Sequence, residues 1–102
     1  MVAIDRVLEY NHHNAIMPNV TLEHEAARQL GDLPKPLKAR IVELLVRLAE
    51  WPEVSGAKPL RGNLAGRYRL RTGDYGMQFR IEAGQVIVER VGHRDGFYDE
   101  DE

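Results

Sequence analysis

The sequence predicts an α+β domain in which a two-helix hairpin covers the apolar face of a small, mainly antiparallel twisted sheet. Three observations predict it. Residues 67–72 and 77–82 alternate apolar with polar, and 85–91 form a β-branched run, with Gly73-Asp74 and Ala83-Gly84 as turn pairs between them. Leu22, Ala26 and Leu30 recur at helical spacing, as do Leu37, Ile41, Leu44, Leu45 and Leu48. Gly31 and Pro34 stand between these two stripes, so the helices are joined by a short turn.

Residues 1–17 carry apolar side chains without a sustained period and read as an N-terminal extension, with Met17-Pro18 as a possible second start of translation. Within it, His12 and His13 are adjacent and lack a third ligand at suitable spacing, so no metal site is expected. Pro18 to Thr21 reads as a short extended piece. Thr21 then serves as an N-cap, with Glu23 and Glu25 in the positive first turn and Gly31 at the end. Pro34-Lys35-Pro36 opens the second helix, where proline is tolerated. That helix ends near Trp51-Pro52, with Trp51 capping the core, and a loop rich in Pro, Gly and Ser follows.

In the sheet, Tyr68, Leu70 and Thr72 alternate with Arg67, Arg69 and Arg71, and Met77, Phe79 and Ile81 alternate with Gln78, Arg80 and Glu82. One face is therefore apolar and meets the helices; the other carries arginines and stays open. Tyr68 and Tyr75 read as packing residues. His93 is a residue type suited to proton transfer. Strand parity instead groups it with Ile87 and Val91, opposite Arg94, as a structural histidine.

The charge distribution matters more than its total of −2. Residues 58–94 hold eight Lys and Arg against three Asp and Glu, whereas residues 95–102 hold five acidic residues and no basic one. The acidic end reads as a solvated tail or as a segment folding back onto the arginines. With no cysteine, disulfides and thiolate metal sites are excluded, which fits the cytoplasm. No apolar run approaches the ~20 residues of a membrane span, so no membrane is expected. There is no carboxylate pair, cysteine or nucleophile elbow. Arginines grouped with a tyrosine suit phosphate, and RNA above other phosphates.

The strings Lys-Pro-Leu-Arg-Gly (58–62), Tyr-Arg-Leu-Arg-Thr-Gly-Asp-Tyr (68–75) and Val-Gly-His-Arg (91–94) with a closing Tyr98 resemble the RelE/ParE superfamily of bacterial toxins. The resemblance spans residues 18–98, leaving 99–102 as an acidic tail. It implies two helices on a four-stranded sheet whose first strand precedes the first helix. The RelE branch implies a toxin of a type II toxin–antitoxin pair that cuts mRNA in the ribosomal A site. The ParE branch implies a gyrase inhibitor without RNase activity. Both imply neutralisation by a small antitoxin, RelB-like here, with operator DNA bound only through that antitoxin.

Matched by position, Arg69 and Arg71 correspond to the two basic residues of the second sheet strand, Arg94 to the arginine closing the last strand, and Tyr98 to the C-terminal tyrosine. Gly76 departs from the pattern, since the family usually has arginine there; Arg80 shares its strand parity four residues on. The weakly acidic overall charge is a second departure. Cleavage by the 2′-hydroxyl needs a base, cations for the phosphorane and an acid for the 5′-oxygen. Arginine supplies the cations and is a poor acid or base. Tyr98 is the expected general base, helped by arginines that favour phenolate. Arg71 and Arg94 are the expected phosphate stabilisers and Arg69 a positioning residue. Lys58, Arg61, Arg67, Arg80 and His93 are candidate RNA contacts. No cofactor is expected; the partners are the antitoxin, the ribosome and mRNA. The alternatives are a gyrase-directed toxin and a catalytically attenuated relative, both motivated by Gly76.

Overall fold

The computed structural model describes residues 19–94. Val20–Leu22 forms β1, His24–Gly31 α1, Lys35–Leu48 α2, Lys58–Pro59 β2, Arg67–Thr72 β3, Tyr75–Glu82 β4 and Gln85–His93 β5, with a short 3₁₀ turn at Gly62–Leu64. The N-terminal extension, the acidic tail, His12, His13 and Tyr98 lie outside the described residues.

The two helices pack on one face of a mainly antiparallel sheet of order β1-β5-β4-β3-β2, in which only β1 and β5 run parallel. The sheet has five strands, not the expected four. The additional strand is β2, which lies in the segment read as loop. It aligns Lys58 with Arg69 and Pro59 with Tyr68, and just beyond it Leu60 N donates to Arg67 O at 2.8 Å. Proline is tolerated there because an edge strand leaves one side without a ladder partner. Thr21 is not the expected helix cap; it lies in β1 opposite Ile87. Glu23 holds the N-cap position, its carbonyl accepting from Ala27 N at 2.9 Å. Leu22 still joins the core, but from the strand.

The core lies between helices and sheet. Ala26, Ala27 and Leu30 come from α1 and Ile41, Leu44, Leu45 and Leu48 from α2. They meet Leu70, Met77, Phe79, Val86, Val88 and Val91 of the sheet. Phe79 is fully buried, and its truncation to alanine would cost about 3–5 kcal/mol. Trp51 closes this end of the core as expected, edge-on to Tyr68 at 4.9 Å and to Phe79 at 5.5 Å, while Tyr68 stacks on Phe79.

A bulge in β5 sets the geometry of the other face. Phe79 pairs with Val88, yet the next residue of β4, Gln78, pairs with Arg90, leaving Glu89 as the extra residue. Val88 and Val91 are both buried, so Glu89 and Arg90 both project to the side away from the helices. Where β1 ends, α1 takes over: Glu23 N donates to Val88 O at 2.9 Å, and Val91 N donates to Gln29 Oε1 at 2.7 Å. The bulge also corrects the expected parity. His93 does share the helix side with Val91, but Ile87 lies on the opposite face, opposite Arg80.

Candidate nucleic-acid interface

Cross-strand register assembles the open face in rows. One row runs Lys58, Arg69, Gln78, Arg90 across β2, β3, β4 and β5. The next, toward the β3–β4 turn, runs Arg71, Gly76, Gly92. On the other side lie Arg67, Arg80 and Ile87. Arg69 and Arg71 thus share a face at about 7 Å, close to a phosphate spacing. Arg94 follows β5, where its N–H donates to Asp74 O at 2.7 Å, fixing its backbone at the β3–β4 turn end of the sheet. Two glycines beside Arg71 leave the middle of that row without side chains.

The two ends of this face differ electrostatically. At the far end Glu89 sits between two expected RNA contacts. Its Oε1 accepts from Arg67 Nε at 2.8 Å and Gln78 Nε2 at 2.9 Å, and its Oε2 accepts from Arg80 Nη1 at 2.6 Å. Arg80 also bonds Glu23 at 2.8 Å and approaches Glu82. Burial pushes the Glu89 carboxyl up, but hydrogen bonds from Gln78, Arg67 and Arg80 prevail and hold it below the ordinary glutamate range. Glu23 and then Glu89 raise the affinity of the Arg80 guanidinium for its proton. Arg67 and Arg80 are therefore structural ion-pair partners as well as surface cations. Arg80 does not lean toward Gly76; it is held by the carboxylates at the other end.

Arg61 lies off the sheet at the start of the 3₁₀ turn. His93 is exposed, with its ring edge-on to Tyr75 at 5.1 Å, on the helix side rather than among the arginines. The structure adds Arg90, which sequence reasoning missed. The signal for it was present: Val88-Glu89-Arg90-Val91 breaks strand alternation by one residue, the mark of a bulge. Arg47 of α2 was also missed; it lies outside the apolar stripe of its helix, and its bond to Ser55 O sets it against the loop that follows. Among the described residues, no group of three or more His, Asp or Glu side chains could hold a metal ion.

The sequence matches the family described as ParE toxin of type II toxin–antitoxin system, parDE, over residues 20–96. Toxin RelG of Mycobacterium tuberculosis is 36% identical over 75 residues, spanning 72% of this chain and 86% of that protein. Toxin RelE of the same species is 36% identical over 74 residues, spanning 72% and 75%. Among solved structures, a chain of the toxin–antitoxin complex RelBE2 from M. tuberculosis superposes with a TM-score of 0.66 at 35% identity, covering 74% of this chain and 96% of that one. The isolated Escherichia coli RelE toxin, at 20% identity over 72% of this chain and 81% of its own, shares the fold with a TM-score of 0.62. With its helical hairpin, its arginine-bearing sheet and these matches, the chain belongs to the RelE/ParE superfamily of type II toxin–antitoxin toxins.

Proposed function

We propose that this toxin is a ribosome-dependent mRNA endonuclease that cuts the message in the A site. The observation that supports the reading is the register that puts Lys58, Arg69 and Arg90 in one row of the sheet and Arg71 in the next, with the Arg94 backbone tied to the adjoining turn. In the reaction a base takes the 2′-hydroxyl proton, the 2′-oxygen bonds to phosphorus, and the bond to the 5′-oxygen breaks as that oxygen gains a proton. The products are a 2′,3′-cyclic phosphate and a 5′-hydroxyl. Arg71 and Arg94 stabilise the charge on the phosphorane, and Arg69 positions the strand. Arg90 supplies the cation that position 76 lacks. Tyr98 is the general base. Lys58 contributes to backbone binding; Arg61, Arg67, Arg80 and His93 play a lesser part in it, given their positions.

The partner in this reading is a RelB-like antitoxin, supported by the likeness to a chain of the RelBE2 complex. Operator DNA is reached only through that antitoxin. Among the described residues no helix is long and apolar enough to cross a membrane, and the reading places the toxin with ribosomes in the cytoplasm. Induction of the chain without its antitoxin, followed by mapping of mRNA ends, tests it. Cuts should fall within codons of translated messages; intact messages under growth arrest would overturn it.

Gly76 favours a second reading, a toxin that inhibits DNA gyrase without cutting RNA, and it equally motivates an attenuated relative. Loss of supercoiling by purified gyrase would support the former. Unimpaired growth on induction would support the latter.

A further inference from the structure

At the sheet edge beyond β2 lies a cavity of about 210 Å³. Its lining comes from three parts of the chain: Arg47 of α2, Ser55 and Gly56 of the loop that follows, and Lys58, Arg69 and Arg71 of the sheet, with Leu70 behind them. Among the described residues, four of those that line it are cationic and none is acidic. Arg47 is anchored, since its Nη2 donates to Ser55 O at 2.6 Å. That bond takes one of its five N–H donors and sets the guanidinium against the loop. Gly56 supplies the bend of this loop, with a φ of +89° that L side chains rarely adopt.

We infer that this cavity is a phosphate subsite, which holds a backbone phosphate of the RNA strand flanking the cleaved one. The identity of the strand rests on the nuclease reading; the anion chemistry does not. Cations approach from a helix and two strands, an arrangement that can address several oxygens of a tetrahedral group at once. A carboxylate offers two oxygens in one plane and would leave part of the ring unused. The volume is several times the ~30 Å³ share of a water molecule, so a phosphate with adjoining sugar atoms fits. Arg69 and Arg71 border both the cavity and the open face. A strand with one phosphate at Arg71 therefore reaches the cavity with a neighbouring one.

The test uses the purified full chain with ¹⁵N-labelled arginine. It is titrated separately with inorganic phosphate and with a short oligoribonucleotide made uncleavable by 2′-O-methylation. Both probes should shift the Arg47 Nε–Hε resonance saturably. Arg47→Ala and Lys58→Gln should each weaken inorganic phosphate about tenfold, the loss of one charge-assisted contact. Each should also lower the slope of log affinity against log salt for the oligonucleotide by about 1. Lys58→Gln guards against loosening of the loop, because Lys58 is an exposed edge residue. Phosphate binding weakened in both variants, with no oligonucleotide response, supports the subsite and removes RNA as its source. Affinity for inorganic phosphate unaltered in both variants overturns the subsite, and oligonucleotide binding that persists in them leaves the nuclease reading standing.

Discussion

Arg90 of β5 is paired across the ladder with Gln78 of β4, which is paired in turn with Arg69 of β3, so two arginines flank one amide on the open face. Gly76 lies two residues along β4 from Gln78, which puts it about 7–8 Å diagonally from Arg90. An arginine side chain spans that distance. Arg90→Ala should slow message cleavage about tenfold or more, and adding Gly76→Arg to that variant should restore the rate. A double variant as slow as Arg90→Ala would separate Arg90 from the missing cation. The measurement is the single-turnover rate on ribosome-bound message.

Arg71 is exposed on β3, paired across the ladder with Gly76. Removing one preorganised donor to a developing charge costs about 10²–10³ in rate. Arg71→Ala should show that loss, with stability changed by no more than about 0.5 kcal/mol because the residue is exposed. Arg71→Lys should recover part of it, since it keeps the charge and loses the planar fork. Denaturant titration alongside the kinetics separates the two effects.

Glu89 makes stability depend on acid. In the unfolded chain a glutamate titrates near 4.5, whereas in the fold Glu89 titrates lower. The unfolded state therefore binds the proton first. The stability Glu89 contributes is fully present above about pH 4.5 and fades as pH falls through the lower folded value. Glu89→Gln should cost about 1–3 kcal/mol at neutral pH, where Arg67 and Arg80 lose their charged acceptor. The gap between the two proteins should narrow toward pH 3, as followed by urea unfolding at stepped pH.

Gln29 completes the backbone hydrogen bonding of β5 just past the bulge, through Val91 N. Gln29→Ala should cost about 1–3 kcal/mol, the penalty for leaving that donor without its acceptor. Hydrogen exchange should quicken most at Val91. Exchange unchanged there would mean another group satisfies that amide.

Much of this was legible in the sequence because period and turn chemistry act locally. The alternation of Tyr68, Leu70 and Thr72 with three arginines named both faces of β3. Gly73-Asp74 and Ala83-Gly84 placed both hairpins, Ala83 itself adopting a φ of +50°. The rest depended on tertiary partners. Lys58–Pro59 is too short to show a period and becomes a strand only by pairing with β3. Thr21 looks like a cap until β5 recruits it into β1. Arg67 and Arg80 look like RNA contacts until Glu89 is turned onto their face by the bulge. Arg47 joins the cationic surface only because the loop after α2 folds back on it.

The most direct test is cleavage of a defined message on purified ribosomes halted with a chosen codon in the A site. The expected result is a single cut within that codon, ending in a 2′,3′-cyclic phosphate, absent without ribosomes and strongly reduced in Arg71→Ala. Intact message with the toxin in molar excess over ribosomes, or equal cutting by Arg71→Ala, would contradict it.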